Sequence, residues 1–276
     1  MLTARAERAA LLAVRANLRV YALDGALLGL FMVSACLSVA LIEHPASTIR
    51  RLVDSELARR ALIGTAMGLT AVALIYSPWG RRSGAFMNPA MTLCFVRLGK
   101  LPPLDAAGYI VAQLAGGTLG VAVGSMLLGA RLSDPAVNYV VTAPGRYGSG
   151  AAWLAEFAIA FVMLTVVVRV NRIPRLAPRT GFFAAALVAL FITFEAPISG
   201  MSLNPARSFA SSVVANSWTG WWIYLTAPVL GMLAGAELSR LLSARRFPVC
   251  GKLNHSRVIA CFVRCNCLEK ARSEEP

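Results

Sequence analysis

A chain of 276 residues that is 57% hydrophobic and only 14% charged is far from a soluble domain, in which about a quarter of residues carry charge. Its net charge of +14 would suit a nucleic-acid binder, but the basic residues fall between apolar runs instead of gathering on one polar surface. They report membrane topology, and nucleic acid is excluded as a partner.

The first twenty residues set Arg5, Arg8, Arg15 and Arg19 among Ala, Leu and Val, with no small-residue cleavage site. The pattern predicts a basic amphipathic helix (residues 1–20) on the cytoplasmic membrane surface, not a removable signal. Runs long enough to cross a ~30 Å hydrocarbon core follow at Tyr21–Ile42, Ala61–Pro78, Asp105–Gly129, Ala151–Val170, Gly181–Pro197 and Gly220–Leu242. An even number of spans puts both ends on one side, and the basic N-terminus and tail place that side in the cytoplasm. Residues 21–242 form the membrane domain; 243–276 form a basic, Cys-rich cytoplasmic tail. There Cys250, His255, Cys261, Cys265 and Cys267 are metal candidates, but their spacing matches no standard zinc or cluster pattern. Arg245, Arg246, Lys252, Arg257 and Arg264 predict contact with anionic lipid instead, and no cofactor is expected. The histidines, His44 and His255, lie in a loop and the tail, so no catalytic constellation is visible and an enzyme is not expected.

Two further apolar runs, Asn88 to Leu98 and Asn204 to Ala215, are about a dozen residues each, half of a bilayer crossing at ~1.5 Å per residue. Each opens on Asn-Pro-Ala: Asn88-Pro89-Ala90 and Asn204-Pro205-Ala206. Asn caps helices and Pro suits the first helical position, so both tripeptides predict helix starts. The order span, span, half-span, span occurs twice, in about 21–130 and 151–242. Three full spans per half invert the second half relative to the first, so the half-helices must meet N-terminus to N-terminus at the midplane, a known way to build an embedded solute site. An aromatic residue three positions before an acid opens each half: Tyr21 before Asp24, and Trp153 before Glu156.

Between Tyr21 and Leu242 the chain resembles the aquaporin, or major intrinsic protein, family. The resemblance rests on the two Asn-Pro-Ala motifs, Ser83-Gly84-Ala85 before the first, Arg207-Ser208 after the second, and the acids Asp24 and Glu156. It implies an all-α membrane protein with six transmembrane helices, two half-helices and an inverted repeat. It also implies a passive channel in the plasma or inner membrane for water and small neutral solutes, usually a homotetramer with one pore per subunit.

The side-chain amides of Asn88 and Asn204 are expected to offer N–H donors to a passing oxygen, while two helix N-termini add about half a positive charge each. A cation meets that field unsolvated, and a water held by two donors cannot relay a proton. Arg207 sits where a charge costs ~2.5 to 3.5 kcal/mol to insert; the resemblance makes it the arginine of an outer constriction. Counting back from Asn204 puts the other constriction positions at Ile192, where water-selective members usually carry His, and Met201. The second-span position falls on Met67 if Gly68-Leu69-Thr70 is aligned with the family, and on Gly68 by an ungapped count. Such a filter is greasier than a strict water channel's and leaves glycerol open, whereas Ser208 and Tyr224 resemble water channels. Asp24 and Glu156 are expected to accept hydrogen bonds from the Asn-Pro-Ala loops, Asp24 indirectly because it is one methylene short. Glu195, one turn from Ile192, is expected to neutralise Arg207, line the outer vestibule or lie solvated at a loop end. Phe86 is expected at the inner mouth. Gly116, Gly117, Gly120, Gly124, Gly231 and Gly235 are expected to permit close helix crossings. A secondary transporter, which shares the inverted repeat, is the reading from another functional class.

Overall fold

In a bilayer core every backbone N–H and C=O must be paired inside the protein, which leaves helices as the natural crossing element for apolar runs of this length. The computed structural model describes residues 2–242, with side chains from Arg15 onward. Among these residues the chain forms twelve α-helices and no strand. In order they are α1 (Leu2–Glu43), α2 (Thr48–Leu52), α3 (Glu56–Tyr76), α4 (Pro78–Ser83), α5 (Pro89–Arg97) and α6 (Pro103–Leu128), then α7 (Ala130–Ser133), α8 (Gly148–Arg172), α9 (Thr180–Phe194), α10 (Ala196–Ser199), α11 (Pro205–Ala215) and α12 (Trp221–Leu241). Six of them, α1, α3, α6, α8, α9 and α12, are long and apolar enough to cross a membrane. The basic N-terminal segment is helical and is not separated from the first span by a break. It runs into the first span as one 42-residue helix, about twice as long as the hydrocarbon core is thick at ~1.5 Å per residue.

The half-helices α5 and α11 start where the tripeptides predict. Asn88 and Asn204 have extended backbones, and their side chains accept from the N–H of Ala90 and from those of Ala206 and Arg207; Pro89 and Pro205 take the first helical position. At nine and eleven residues they rise only ~14 and ~17 Å. Gly99 (φ +69°) follows the end of α5, and Asn216 in the left-handed region caps α11.

Packing follows the repeat. In the first half α1 lies on α6, in the second α8 lies on α12, and α3 against α9 joins the halves. Each half-helix also packs on the last span of the other half, α5 on α12 and α11 on α6. The α1–α6 crossing is so close that a Cβ at Gly116 would fall 2.0 Å from the Gly25 carbonyl oxygen; at Gly231 it would fall 2.3 Å from that of Phe157 on α8. These glycines let backbones touch, as small residues do between membrane helices. Outward, Leu69, Val111, Leu119, Met126 and Leu154 are more than 60% exposed, an apolar surface that lipid solvates and water does not.

Candidate functional site

The site is carried by the two loops that lead into α5 and α11. Gly84, Ala85 and Met87 have positive φ in the first loop (+96°, +56° and +47°), and Gly200, Met201 and Leu203 in the second (+80°, +49° and +60°). Counted from each Asn, these are the same three positions. Left-handed backbone costs a non-glycine residue ~1 to 2 kcal/mol, so four such residues persist only because their surroundings hold them.

A buried carboxylate does the holding in each half. Asp24 on α1 accepts from the Ser83 hydroxyl at 3.0 Å and from the backbone N–H groups of Phe86 at 3.0 Å and Met87 at 2.8 Å. Glu156 on α8 accepts from the Ser199 hydroxyl at 2.7 Å and from the N–H groups of Ser202 at 2.6 Å and Leu203 at 2.7 Å. Asp24 thus reaches the loop directly, which corrects the expectation of an indirect contact. Gln113 on α6 donates to its second oxygen at 2.8 Å and to the Thr92 hydroxyl at 3.1 Å, filling the space beside the shorter side chain. The hydroxyls of Tyr109 and Tyr224 close the loops by donating to the carbonyls of Ser83 and Ser199.

Where the half-helices meet, the asparagines reach across. Asn88 Nδ2 donates to the Leu203 carbonyl at 2.8 Å, and Asn204 Nδ2 donates to that of Met87 at 2.7 Å. Each amide has two hydrogens, and one of them is spent on the opposite loop. Both asparagines line a cavity of about 240 Å³ whose wall also includes Met67, Ile192, Met201 and Arg207. Phe86, stacked on Phe95 at 5.0 Å, lines it too. Of the two second-span alternatives it is Met67 that reaches this wall. Gly68 is turned toward α9, where a Cβ on it would lie 3.0 Å from the Ala185 carbonyl oxygen.

Arg207 donates from Nη1 to the Val140 carbonyl at 2.7 Å and, among the described residues, pairs with no carboxylate. The carbonyl that takes this bond belongs to Asn138–Val140, three successive residues in the left-handed region. Two helix N-termini worth about +0.5 each and an unpaired guanidinium therefore face one mostly apolar cavity. Glu195 does not balance them: it is buried and its carboxylate oxygens have no hydrogen-bond partner among the described residues. Tyr224 stands behind the second loop, not on the cavity wall. The tail residues Cys250, His255, Cys261, Cys265 and Cys267 lie outside the described residues, among which no group of three His, Cys, Asp or Glu side chains could hold a metal.

A sequence model of the major intrinsic protein family matches residues 23–238. The chain belongs to that family. It is 35% identical over 199 residues to aquaporin NIP1-3 of Oryza sativa subsp. japonica, an alignment covering 71% of this chain and 66% of the relative. It is 35% identical over 193 residues to aquaporin NIP3-1 of Arabidopsis thaliana, covering 67% and 58%. The chain thus spans 66% and 58% of the length of these curated relatives, less than two thirds of either. Among solved structures it shares the fold of the aquaglyceroporin from Plasmodium falciparum, with a TM-score of 0.64, 18% identity and coverage of 81% of this chain and 97% of that one. Both acids, both Asn-Pro-Ala motifs and Arg207 fall inside the major intrinsic protein match.

The structure adds residues that pattern reading of this family member passes over: Gln113, Tyr109, Thr142 and Arg60. The first two had a signal. Tyr109 aligns with Tyr224 when the halves are superposed by their glycines Gly116 and Gly231, and Gln113 is a polar residue in an apolar span. Arg60, on the cavity wall two turns before Met67, donates from Nε to the Thr193 carbonyl at 3.2 Å. Thr142 shares a hydrogen bond with Ser208 at 2.7 Å from a loop without any periodicity to mark it.

Proposed function

We propose that the chain is a passive transmembrane channel that conducts water and admits small neutral solutes such as glycerol, while excluding ions and protons. One observation carries this reading: Asn88, Asn204 and Arg207 line the same cavity, so a molecule inside it meets two amide donors, two helix N-termini and a guanidinium in an otherwise apolar passage. A neutral molecule with a lone pair exchanges water's hydrogen bonds for these. A cation loses hydration and gains only repulsion. A water that accepts from both amides points its own hydrogens away from them on either side, which breaks a directional proton wire.

Met67, Ile192, Met201 and Arg207 act as the selectivity filter in this reading, with Asp24 and Glu156 as anchors of the loops. Three apolar walls opposite one arginine suit a carbon backbone that carries hydroxyls on one edge, which supports glycerol as a second solute. The relatives and the structural neighbour, named as aquaporins and an aquaglyceroporin, support the same pair. No catalytic role is assigned. The protein is placed in the plasma or inner membrane with both termini cytoplasmic, as a homotetramer; size-exclusion light scattering in detergent tests the assembly and protease protection tests the orientation.

Stopped-flow measurements on proteoliposomes test the function, first with an impermeant osmolyte and then with glycerol. Fast shrinkage with a low activation energy is expected, followed by reswelling in glycerol. Water flux with the activation energy of bare lipid would remove the channel reading, and solute uptake driven by a pH gradient would replace it with a transporter.

A further inference from the structure

Six of the chain's nine methionines, Met67, Met87, Met91, Met163, Met201 and Met232, line the cavity that Asn88 and Asn204 share. They come from six different elements: α3, the loop before α5, α5, α8, the loop before α11, and α12. A methionine stripe on one helix would be ordinary core packing. Convergence from six elements instead surrounds the solute path with thioethers, the side-chain group most readily oxidised after the thiol. Elsewhere in the described residues, Met32 is packed in the core and Met126 is 84% exposed on the outer face of α6.

We propose that the pore thioethers, Met67 and Met201 foremost, are a modification site at which hydrogen peroxide forms methionine sulfoxide and thereby closes the channel. The proposal rests on the reading above that the pore admits water, because peroxide is a neutral hydrogen-bonding molecule of nearly the same bulk. In the step the sulfur lone pair attacks one peroxide oxygen and the O–O bond breaks as the S–O bond forms. The departing hydroxide takes the proton left on the transferred oxygen, so sulfur is oxidised by two electrons and peroxide is reduced to water. The product places a strong acceptor on the pore wall. Arg207 has five N–H donors and gives one bond, to Val140, so its free N–H groups can take the sulfoxide oxygens of Met67 and Met201. The link draws both side chains across the passage. Enzymatic reduction of both sulfoxide epimers restores the thioethers.

The test uses the full-length protein in proteoliposomes, where water permeability is read before and after peroxide and oxygen gain is read on each methionine by peptide mass spectrometry. Untreated vesicles test the water-channel reading on their own, so its failure is separable from failure of this proposal. Wild-type permeability is expected to fall several-fold as Met67 and Met201 each gain one oxygen. It is expected to recover with methionine sulfoxide reductases A and B and not with dithiothreitol, which reverses cysteine oxidation alone. A M67L/M201L variant, compared only with its own untreated state, is expected to keep its permeability. Recovery with dithiothreitol, unoxidised Met67 and Met201, unchanged flux despite their oxidation, or an equal fall in the double variant would each overturn the proposal. Single variants M67L and M201L serve the same comparison if the double variant does not fold.

Discussion

The two halves of the molecule solve one structural problem with different parts. Both hold a left-handed loop on a buried carboxylate, and both close it with a tyrosine. In the second half the long side chain of Glu156 does this with three loop donors. In the first half the shorter Asp24 takes the corresponding three and a fourth from Gln113. The position equivalent to Gln113 in the last span, 115 residues on as Tyr224 is from Tyr109, is Pro228, a proline inside α12 with no amide to offer. Acid length and neighbour have changed together. What the repeat preserves is the set of loop donors and the tyrosine, not the acid that accepts them.

The largest effect comes from removing the acids. Glu156→Ala leaves three buried donors unpaired at ~1 to 3 kcal/mol each, so a loss of several kcal/mol and little folded protein are expected. Asp24→Ala leaves four, one of them an N–H of Gln113, and is expected to lose more. Thermal unfolding of both variants in detergent measures the difference, and equal losses would break the comparison. Next comes Asp24→Glu. The extra methylene enters space that Gln113 fills, at an overpacking cost of ~1 to 3 kcal/mol, and Asp24→Glu with Gln113→Ala is expected to regain most of it. If Asp24→Glu alone is as stable as the wild type, Gln113 is not the compensating part.

How much of this is legible in the chain follows from where the constraint is written. The half-helices are legible because Asn-Pro at a helix start is a local rule, and the inversion because counting spans is enough. The role of Asp24 is misread as indirect because side-chain length is judged alone, when its partner lies 89 residues away in Gln113. Glu195 is spaced to meet Arg207 on a helix that continues, but α9 ends at Phe194 and the chain turns into α10, and the buried carboxylate forms no ion pair with the arginine. Val140 and Thr142 lie in a loop with no period, and a backbone carbonyl leaves no mark in sequence.

Arg207 is the sharpest contrast between halves on the cavity wall, since the equivalent third position of α5 is Met91. Arg207→Ala removes a charge and its bulk and is expected to raise glycerol flux about tenfold, or ~1.4 kcal/mol of barrier. Met91→Ala also enlarges the passage but removes no donor, so water and glycerol are expected to change together. Stopped-flow ratios of the two solutes read this directly; parallel ratios in both variants would deny Arg207 its part in selection.

The smallest effect concerns how each half-helix is tied at its fourth position. Thr92 on α5 bonds the Asn88 carbonyl and receives Gln113, so it is tied inward to α6. Ser208 on α11 instead shares hydrogen bonds with Ser202 and with Thr142, and Thr142 lies two residues from the carbonyl that holds Arg207. Thr142→Val keeps the shape and removes one hydroxyl, and because Ser208 retains Ser202 the expected stability loss is only ~1 kcal/mol. Its consequence for selectivity differs from its consequence for stability. A loosened Val140 carbonyl leaves the guanidinium less fixed, so the ratio of glycerol to water flux is expected to rise, by less than in Arg207→Ala. Thr92→Val is expected to lower stability by a similar amount without moving that ratio, because nothing tied to Thr92 reaches the arginine. A shift of the ratio in both variants, or in neither, would mean that the second half-helix is not tuned from its outer loop.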